Sequence, residues 1–236
     1  AAYAALEMES RLARAVRDGE FVLHYQPQFA LADGALVGIE ALIRWQHPEQ
    51  GLVLPDAFIP LAEERRLIQP IGRWVLVEAM RAAVRWREAG LADVPVAVNV
   101  STQEFQWPGF VAGVQQALAA VGAAGPMLEL ELTERMLMED VSSVRAALMQ
   151  LRALGVRIAV DDFGTGYTSL AHLKHLPVDR LKIDRSFIAD LPGDAGSDAI
   201  AGAIVQLGRR LGLQVLAEGV ETVAQRQWAR EQGCDA

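Results

Sequence analysis

Short apolar runs alternate with amphipathic stretches along almost the whole chain. Runs with strand periodicity, each closing on polar or glycine-rich residues, predict strands at 24–31, 36–45, 94–100, 127–133, 157–161, 180–184 and 214–217. Between and before them the apolar spacing becomes helical. It predicts an N-terminal helix at about 4–18, in which Leu6, Leu12 and Val16 lie apart from Arg11, Arg14 and Arg17. Further helices are predicted at 56–67, 71–89, 102–121, 139–154, 197–211 and 222–231. Asp33-Gly34 is a turn signal that pairs the first two strands as a hairpin. Later strands are separated by helices, as parallel crossovers require. The class is α/β, and its repetition predicts a barrel. Seven strands are predicted. The sequence reaches Gly233-Cys234-Asp235-Ala236 just after a helix, so the closing strand is expected to be missing from this chain.

Polar residues recur at the ends of these strands. The second carries Glu40 and Arg44, and the third ends in Asn99. The fourth brings Glu131, Thr133 and Glu134, and the fifth Asp161 and Asp162. The sixth offers Lys182 and Asp184, and the seventh leads into Glu218 and Glu221. In a parallel barrel the carboxyl ends of the strands share one face, so these groups converge. Glu40, Glu131, Asp161, Asp162 and Glu218 would then bring five negative charges together, which needs cations to balance it. Lys182 and Arg44 supply two positive charges, and divalent ions would supply the rest. Carboxylates with one amide oxygen, and neither histidine nor cysteine, suit Mg²⁺ or Mn²⁺ rather than zinc. Adjacent side chains on a strand point to opposite faces, so Asp161 and Asp162 can serve one site only where their strand ends. Gly164 and Gly166 follow at once and read as hinges of a mobile loop.

Taken singly, several of these residues have plainer readings. Glu134 and Glu221 read as solvated rim or helix-capping residues, and Asn99 with Ser101 as the start of a helix. Glu129 shares a face with Glu131 and needs a cationic or hydrogen-bonding partner that the sequence does not name. The five tryptophans read as packing anchors, and Cys234 as a small buried apolar residue. It is the acids at five strand ends together that indicate a site.

Composition narrows the options. The chain has 236 residues, 52% of them hydrophobic, enough for one domain with a substantial core. A formal charge of −8 with scattered basic residues argues against direct DNA binding. A single cysteine permits no internal disulfide, which fits a reducing, cytoplasmic compartment. No stretch is apolar for long enough to span a bilayer, so any membrane anchor is expected outside this chain, in a larger protein.

The motifs resemble those of the EAL-domain family of cyclic di-GMP phosphodiesterases. They are Tyr25-Gln26-Pro27, Glu40-Ala41-Leu42, Asn99-Val100-Ser101, Glu131-Leu132-Thr133-Glu134, the run Asp161 to Tyr167, Lys182-Ile183-Asp184 and Ala217-Glu218-Gly219-Val220-Glu221. The likeness runs from about Tyr25 to the end of the chain, and residues 1–236 are expected to form a single domain of that type. The resemblance implies a modified TIM-like (β/α)8 barrel with an antiparallel first strand. It also implies a bacterial second-messenger hydrolase that converts cyclic di-GMP to linear 5′-pGpG with two Mg²⁺ or Mn²⁺ ions, Ca²⁺ inhibiting.

By motif match, Glu40, Asn99, Glu131 and Asp161 would hold one ion. Asp161 would bridge to a second, bound also by Asp162. Lys182 would bind and polarise the attacking water, and Glu218 would be either a general base or a ligand of the second ion. Gln26, Leu42 and Arg44 would contact the dinucleotide, with the fork of Arg44 matched to a phosphate oxygen. Glu134 would brace the 161–169 loop, near which a homodimer is expected. Thr168 stands where the family usually has serine. A receptor that binds cyclic di-GMP without cleaving it is the alternative, although such proteins commonly lack one or more of the acids present here. An aldolase-type barrel with a Schiff-base lysine is disfavoured, because acids around Lys182 oppose the lowered pKa that chemistry needs.

Overall fold

Leu128, Leu130 and Leu132 are wholly buried, and so, to within 1%, are Glu129 and Glu131 between them. A strand covered on both faces is the mark of a parallel sheet flanked by helices. The computed structural model describes residues 2–138, 140–166 and 170–236. Tyr167 and Thr168 of the predicted loop, and Glu139 at a predicted helix start, lie outside the described residues.

The chain divides into two compact units. The first comprises residues 1–26 and 39–127. It contains α1 (Ala2–Asp18), most of β1 (Phe21–Phe29) and β2 (Leu36–His47), then β3 (Gly51–Val53), α2 (Pro55–Glu64), α3 (Ile68–Glu88), β4 (Val96–Asn99), α4 (Thr102–Phe105) and α5 (Phe110–Val121). β2 pairs antiparallel with β3 and parallel with β4, placing Glu40 opposite Ala97. Phe21, Trp45 and Phe58 pack together with ring centroids 5.6–6.0 Å apart.

The second unit comprises residues 27–38 and 128–236. It contains β5 (Leu128–Thr133), α6 (Glu134–Met138), α7 (Val141–Ala153), β6 (Arg157–Phe163), α8 (Leu170–Leu173), β7 (Arg180–Ile183), α9 (Arg185–Ile188), α10 (Ala195–Leu211), β8 (Gln214–Ala217) and α11 (Val223–Gln232). β5, β6, β7 and β8 run parallel in that order. The predicted hairpin turn is here: Ala30 N–H donates to the Ala35 carbonyl (2.8 Å), and Asp33 Oδ1 accepts from Ala35 N–H (2.9 Å). At the other end, Asp235 N–H donates to the Val215 carbonyl (2.8 Å) and Ala217 N–H to the Ala236 carbonyl (2.8 Å). Cys234 is buried, which lifts its thiol to about 12, in keeping with a packing role.

The structure departs from the predicted elements in several places, with β1 at Phe21–Phe29 instead of 24–31 and short helices at α6 and α9 that were not predicted. β3 was not expected, because three residues carry too little periodicity to register. The helix predicted at 102–121 is two helices, interrupted around Trp107-Pro108-Gly109. The strand predicted to stop at Asp161 continues to Phe163.

Glu129 finds its partner on β7. Arg180 donates to Glu129 Oε1 at 2.8 Å, to Gln28 Oε1 at 3.0 Å and to Gln214 Oε1 at 3.0 Å. Gly38 makes this possible, since a Cβ there would lie 2.5 Å from Gln28 Oε1. Burial still holds the Glu129 carboxyl above its ordinary range, with Arg180 pulling it back. Removing one partner of a buried ion pair leaves the other charge stranded. Arg180→Met is therefore expected to cost about 3–5 kcal/mol in urea denaturation. Adding Glu129→Leu should recover most of that loss, and a double variant as unstable as the single would refute the pairing.

Candidate active site

The polar ends of β5 to β8 build a cluster around one ammonium group. Lys182 is 1% exposed, and Nζ lies 2.7 Å from Glu131 Oε2, 2.7 Å from Glu218 Oε1 and 3.1 Å from Asp161 Oδ1. An ammonium has three donors, and here each faces a carboxylate. The strands explain the convergence. Lys182 alternates with Arg180 on β7 as Glu131 does with Glu129 on β5. Parallel register then sets the two charged rows one pleat apart on the same face.

Asp161 and Asp162 reach one site by a different route from the expected strand end. The β6–β7 register shifts between Val160 and Phe163, and Asp162 has φ +52°. This bulge turns two successive side chains toward the same region, and Asp is one of the few residues that tolerates the left-handed conformation. Asp162 N–H donates to Asp161 Oδ1 (3.0 Å). Burial, then the charges of Asp161 and Asp184, lifts the Asp162 carboxyl above its ordinary range. Asp184 caps α9 by accepting from Ser186 N–H at 2.9 Å. Burial raises its carboxyl too, but bonds from Ser186 and Asp162 outweigh that and leave it low. Of the two, Asp162 therefore holds its proton more tightly.

Glu134 is not the solvated rim residue its position suggested: it is 3% exposed, and Gly164 N–H donates to its Oε2 at 2.9 Å. Gly166 sits so close that a Cβ there would be 2.9 Å from Glu134 Oε1. Glu221 is exposed, as the plainer reading expected, and its N–H meets Gln225 beside the Thr222 cap of α11. Ser101 does start a helix, capping α4 reciprocally with Glu104.

The first unit holds the other candidates. Glu40, Leu42 and Arg44 alternate along β2, and Asn99 Nδ2 donates to Glu40 Oε1 at 2.8 Å. That bond turns the amide nitrogen to the carboxylate and leaves the amide oxygen as a ligand atom. Arg44 is half-buried and bonds the Ile43 carbonyl (2.8 Å); Leu42 is half-buried and Gln26 exposed. The predicted residues therefore fall into two groups: Gln26, Glu40, Leu42, Arg44 and Asn99 in one unit, and Glu131, Glu134, Asp161, Asp162, Lys182 and Glu218 in the other.

A divalent cation suits these donors. Asp161, Asp162 and Glu218 each offer a carboxylate oxygen within 4.8 Å of the others. Hard cations bind oxygens at about 2.0–2.6 Å, so one ion can engage three atoms so placed. Arg180 escaped the sequence reading, although its alternation with Lys182 could have found it; the bond that Asp162 donates to Asp184 depends on a bulge that has no sequence signature.

Comparison with known proteins gives the lineage. Two curated proteins of Pseudomonas aeruginosa are each 46% identical to this chain. The bifunctional diguanylate cyclase/cyclic di-GMP phosphodiesterase MucR matches 98% of the chain and 34% of its own length. The cyclic di-GMP phosphodiesterase NbdA matches 98% and 29%. The chain thus spans about a third of the length of these relatives. Among solved structures, the PaMucR phosphodiesterase in complex with c-di-GMP has a TM-score of 0.94 at 46% identity, covering 97% of this chain and 93% of that one. The likeness bears out the α/β barrel class read from the strand and helix pattern and the TIM-like type that the resemblance implied. The EAL domain profile matches residues 9–236, and the chain belongs to the EAL domain family.

Proposed function

We propose that this chain is a phosphodiesterase that hydrolyses cyclic di-GMP to linear 5′-pGpG with Mg²⁺ or Mn²⁺, and that residues 1–236 act as a single EAL-type domain. The observation that carries this reading is the cluster of Glu131, Asp161 and Glu218 around Lys182, with Asp162 beside it. A receptor has no need of so many buried acids. The 46% identity to MucR and NbdA supports the same substrate.

Glu40, Asn99, Glu131 and Asp161 would hold one ion, and Asp161 and Asp162 a second. The closeness of Glu218 to both aspartates favours it as a ligand of the second ion over a general base. When bound, the ions would lower the pKa of a water and offset the charge of the phosphodiester. With the acids taken up by the ions, Lys182 would turn a donor from them to that water and orient it by hydrogen bonding. Arg44 offers a forked, permanently charged donor to a phosphate oxygen. Leu42 and Gln26 flank the dinucleotide. Glu134 braces the glycine loop through Gly164. A homodimer contact near 161–169 belongs to this proposal, as does a cytoplasmic setting within a larger protein. No helix among the described residues is long and apolar enough to cross a membrane.

The test is incubation with cyclic di-GMP and Mg²⁺ or Mn²⁺, with chromatography for pGpG. Product is expected, with none after EDTA treatment and recovery when the metal is restored. Ca²⁺ alone should bind and give no turnover, because its larger radius and looser coordination disturb a paired site. Binding of cyclic di-GMP without cleavage under all metal conditions would make the chain a receptor.

A further inference from the structure

The first unit carries a cleft that the proposed chemistry does not use. A cleft of about 360 Å³ opens between α3 and α5, with α4 at one side. Its volume is within the range of small-molecule sites. Glu104 lines it and is 9% exposed. The Glu104 Oε2 accepts from Ser101 N–H at 3.0 Å, completing the reciprocal cap of α4. Its Oε1 lies against Gly72 of α3, where a Cβ would come within 1.4 Å. Any residue but glycine at 72 would displace this oxygen, and glycine within a helix costs about 1 kcal/mol relative to alanine.

A carboxylate is an expensive choice here. Glutamine makes the same cap without charge. Burial, aided by the charge of Glu63 and opposed by Ser101, lifts the Glu104 carboxyl to about 7. A carboxyl kept where an amide would serve the fold suggests a ligand that engages it in its ionised form, as a cation would. Trp107 supplies the second half. Unlike packing tryptophans such as Trp45, which is fully buried, it is 47% exposed. Its ring lies over Gly109, where a Cβ would fall 2.5 Å from Cη2, and so forms part of the cleft wall.

A desolvated carboxyl and a half-exposed indole lining one cleft are suited to an organic cation that carries an apolar chain. Because Oε2 is held by Ser101, a single oxygen remains. That suits the point charge of an ammonium better than a guanidinium, whose fork takes two oxygens. Arg73, also on the cleft, is solvent-exposed, so its repulsion is screened while the attraction of Glu104 is not. We propose that this cleft binds a primary alkylammonium group, its hydrocarbon chain against Trp107 and its –NH3⁺ on Glu104 Oε1.

The test uses the indole N–H signals of the whole chain in ¹⁵N–¹H spectra, with the Trp107 signal identified by its loss in Trp107→Phe. Titration with n-butylammonium should shift that signal saturably, with Kd in the millimolar range, and leave the other four in place. n-Propylguanidinium should bind about tenfold more weakly, having only one oxygen to grip. The neutral 1-pentanol should give no saturable shift. Glu104→Gln keeps the cap and should abolish binding. Gly113→Leu should abolish it by filling the space 3.7 Å from the Trp107 ring. Binding of Nα-acetyl-lysine N-methylamide would assign the site to a lysine of a partner protein, and binding of the free amine alone to a small metabolite. A non-saturable shift with n-butylammonium, or an equal one in Glu104→Gln, would overturn the proposal. No arm depends on phosphodiesterase turnover, so failure here leaves that assignment standing.

Discussion

Asp161→Asn is expected to leave the fold intact and reduce hydrolysis of cyclic di-GMP at least about 10³-fold. Residues that merely orient a metal ligand are worth about 10–100-fold, and Asp161 is assigned as a ligand of both ions. Asparagine preserves the shape of the side chain and can still accept from Asp162 N–H, as Oδ1 does now at 3.0 Å. What it removes is one negative charge beside Lys182 Nζ, 3.1 Å away, and one oxygen of the group shared with Asp162 and Glu218. Single-turnover assays at saturating Mn²⁺, with calorimetric titration of the metal, separate weaker cation binding from slower chemistry. Glu40→Ala should have a comparable effect, since it also removes the acceptor that orients Asn99. Near wild-type hydrolysis by either variant would exclude the metal assignment.

Part of this site was legible in the sequence because strand periodicity carries information about facing. Alternation alone put Glu129 with Glu131, and the helical spacing between strands implied parallel order. β8 spans 214–217, where the periodicity placed it. What alternation could not give was the pairing across strands. The partner of Glu129 is 51 residues away, and Gln28 reaches Arg180 across 152 residues. Such contacts depend on register, which follows from the folded sheet and not from any local pattern. The Asp161-Asp162 pair shows the limit most clearly. Two adjacent acids implied a strand end, yet the strand continues, and a bulge with one left-handed aspartate achieves the convergence. Glu134 failed in the opposite direction: local reasoning made it a rim residue, but a glycine loop folded over it and buried it.

Lys182→Met separates the two tasks proposed for this lysine. Its ammonium lies within 3.1 Å of Glu131, Asp161 and Glu218, whose side chains are 0%, 12% and 24% exposed. Methionine fills a similar volume, so the loss is chiefly of charge. Without divalent cation, the variant leaves these acids facing one another and should be less stable by about 3–5 kcal/mol in urea denaturation, the cost of breaking a buried pair from one side. Mn²⁺ or Mg²⁺ should restore much of that stability, because a cation that binds only the folded state stabilises it by mass action. The stability of the variant should therefore depend on metal concentration far more steeply than that of the wild type. Catalysis should not recover in parallel. If Lys182 orients the attacking water, kcat falls far more than affinity for cyclic di-GMP, even at saturating metal. Equal losses in kcat and affinity would remove Lys182 from the chemical step and leave it as a counter-ion. A variant as stable as the wild type without metal would instead show that the acids are balanced by another group.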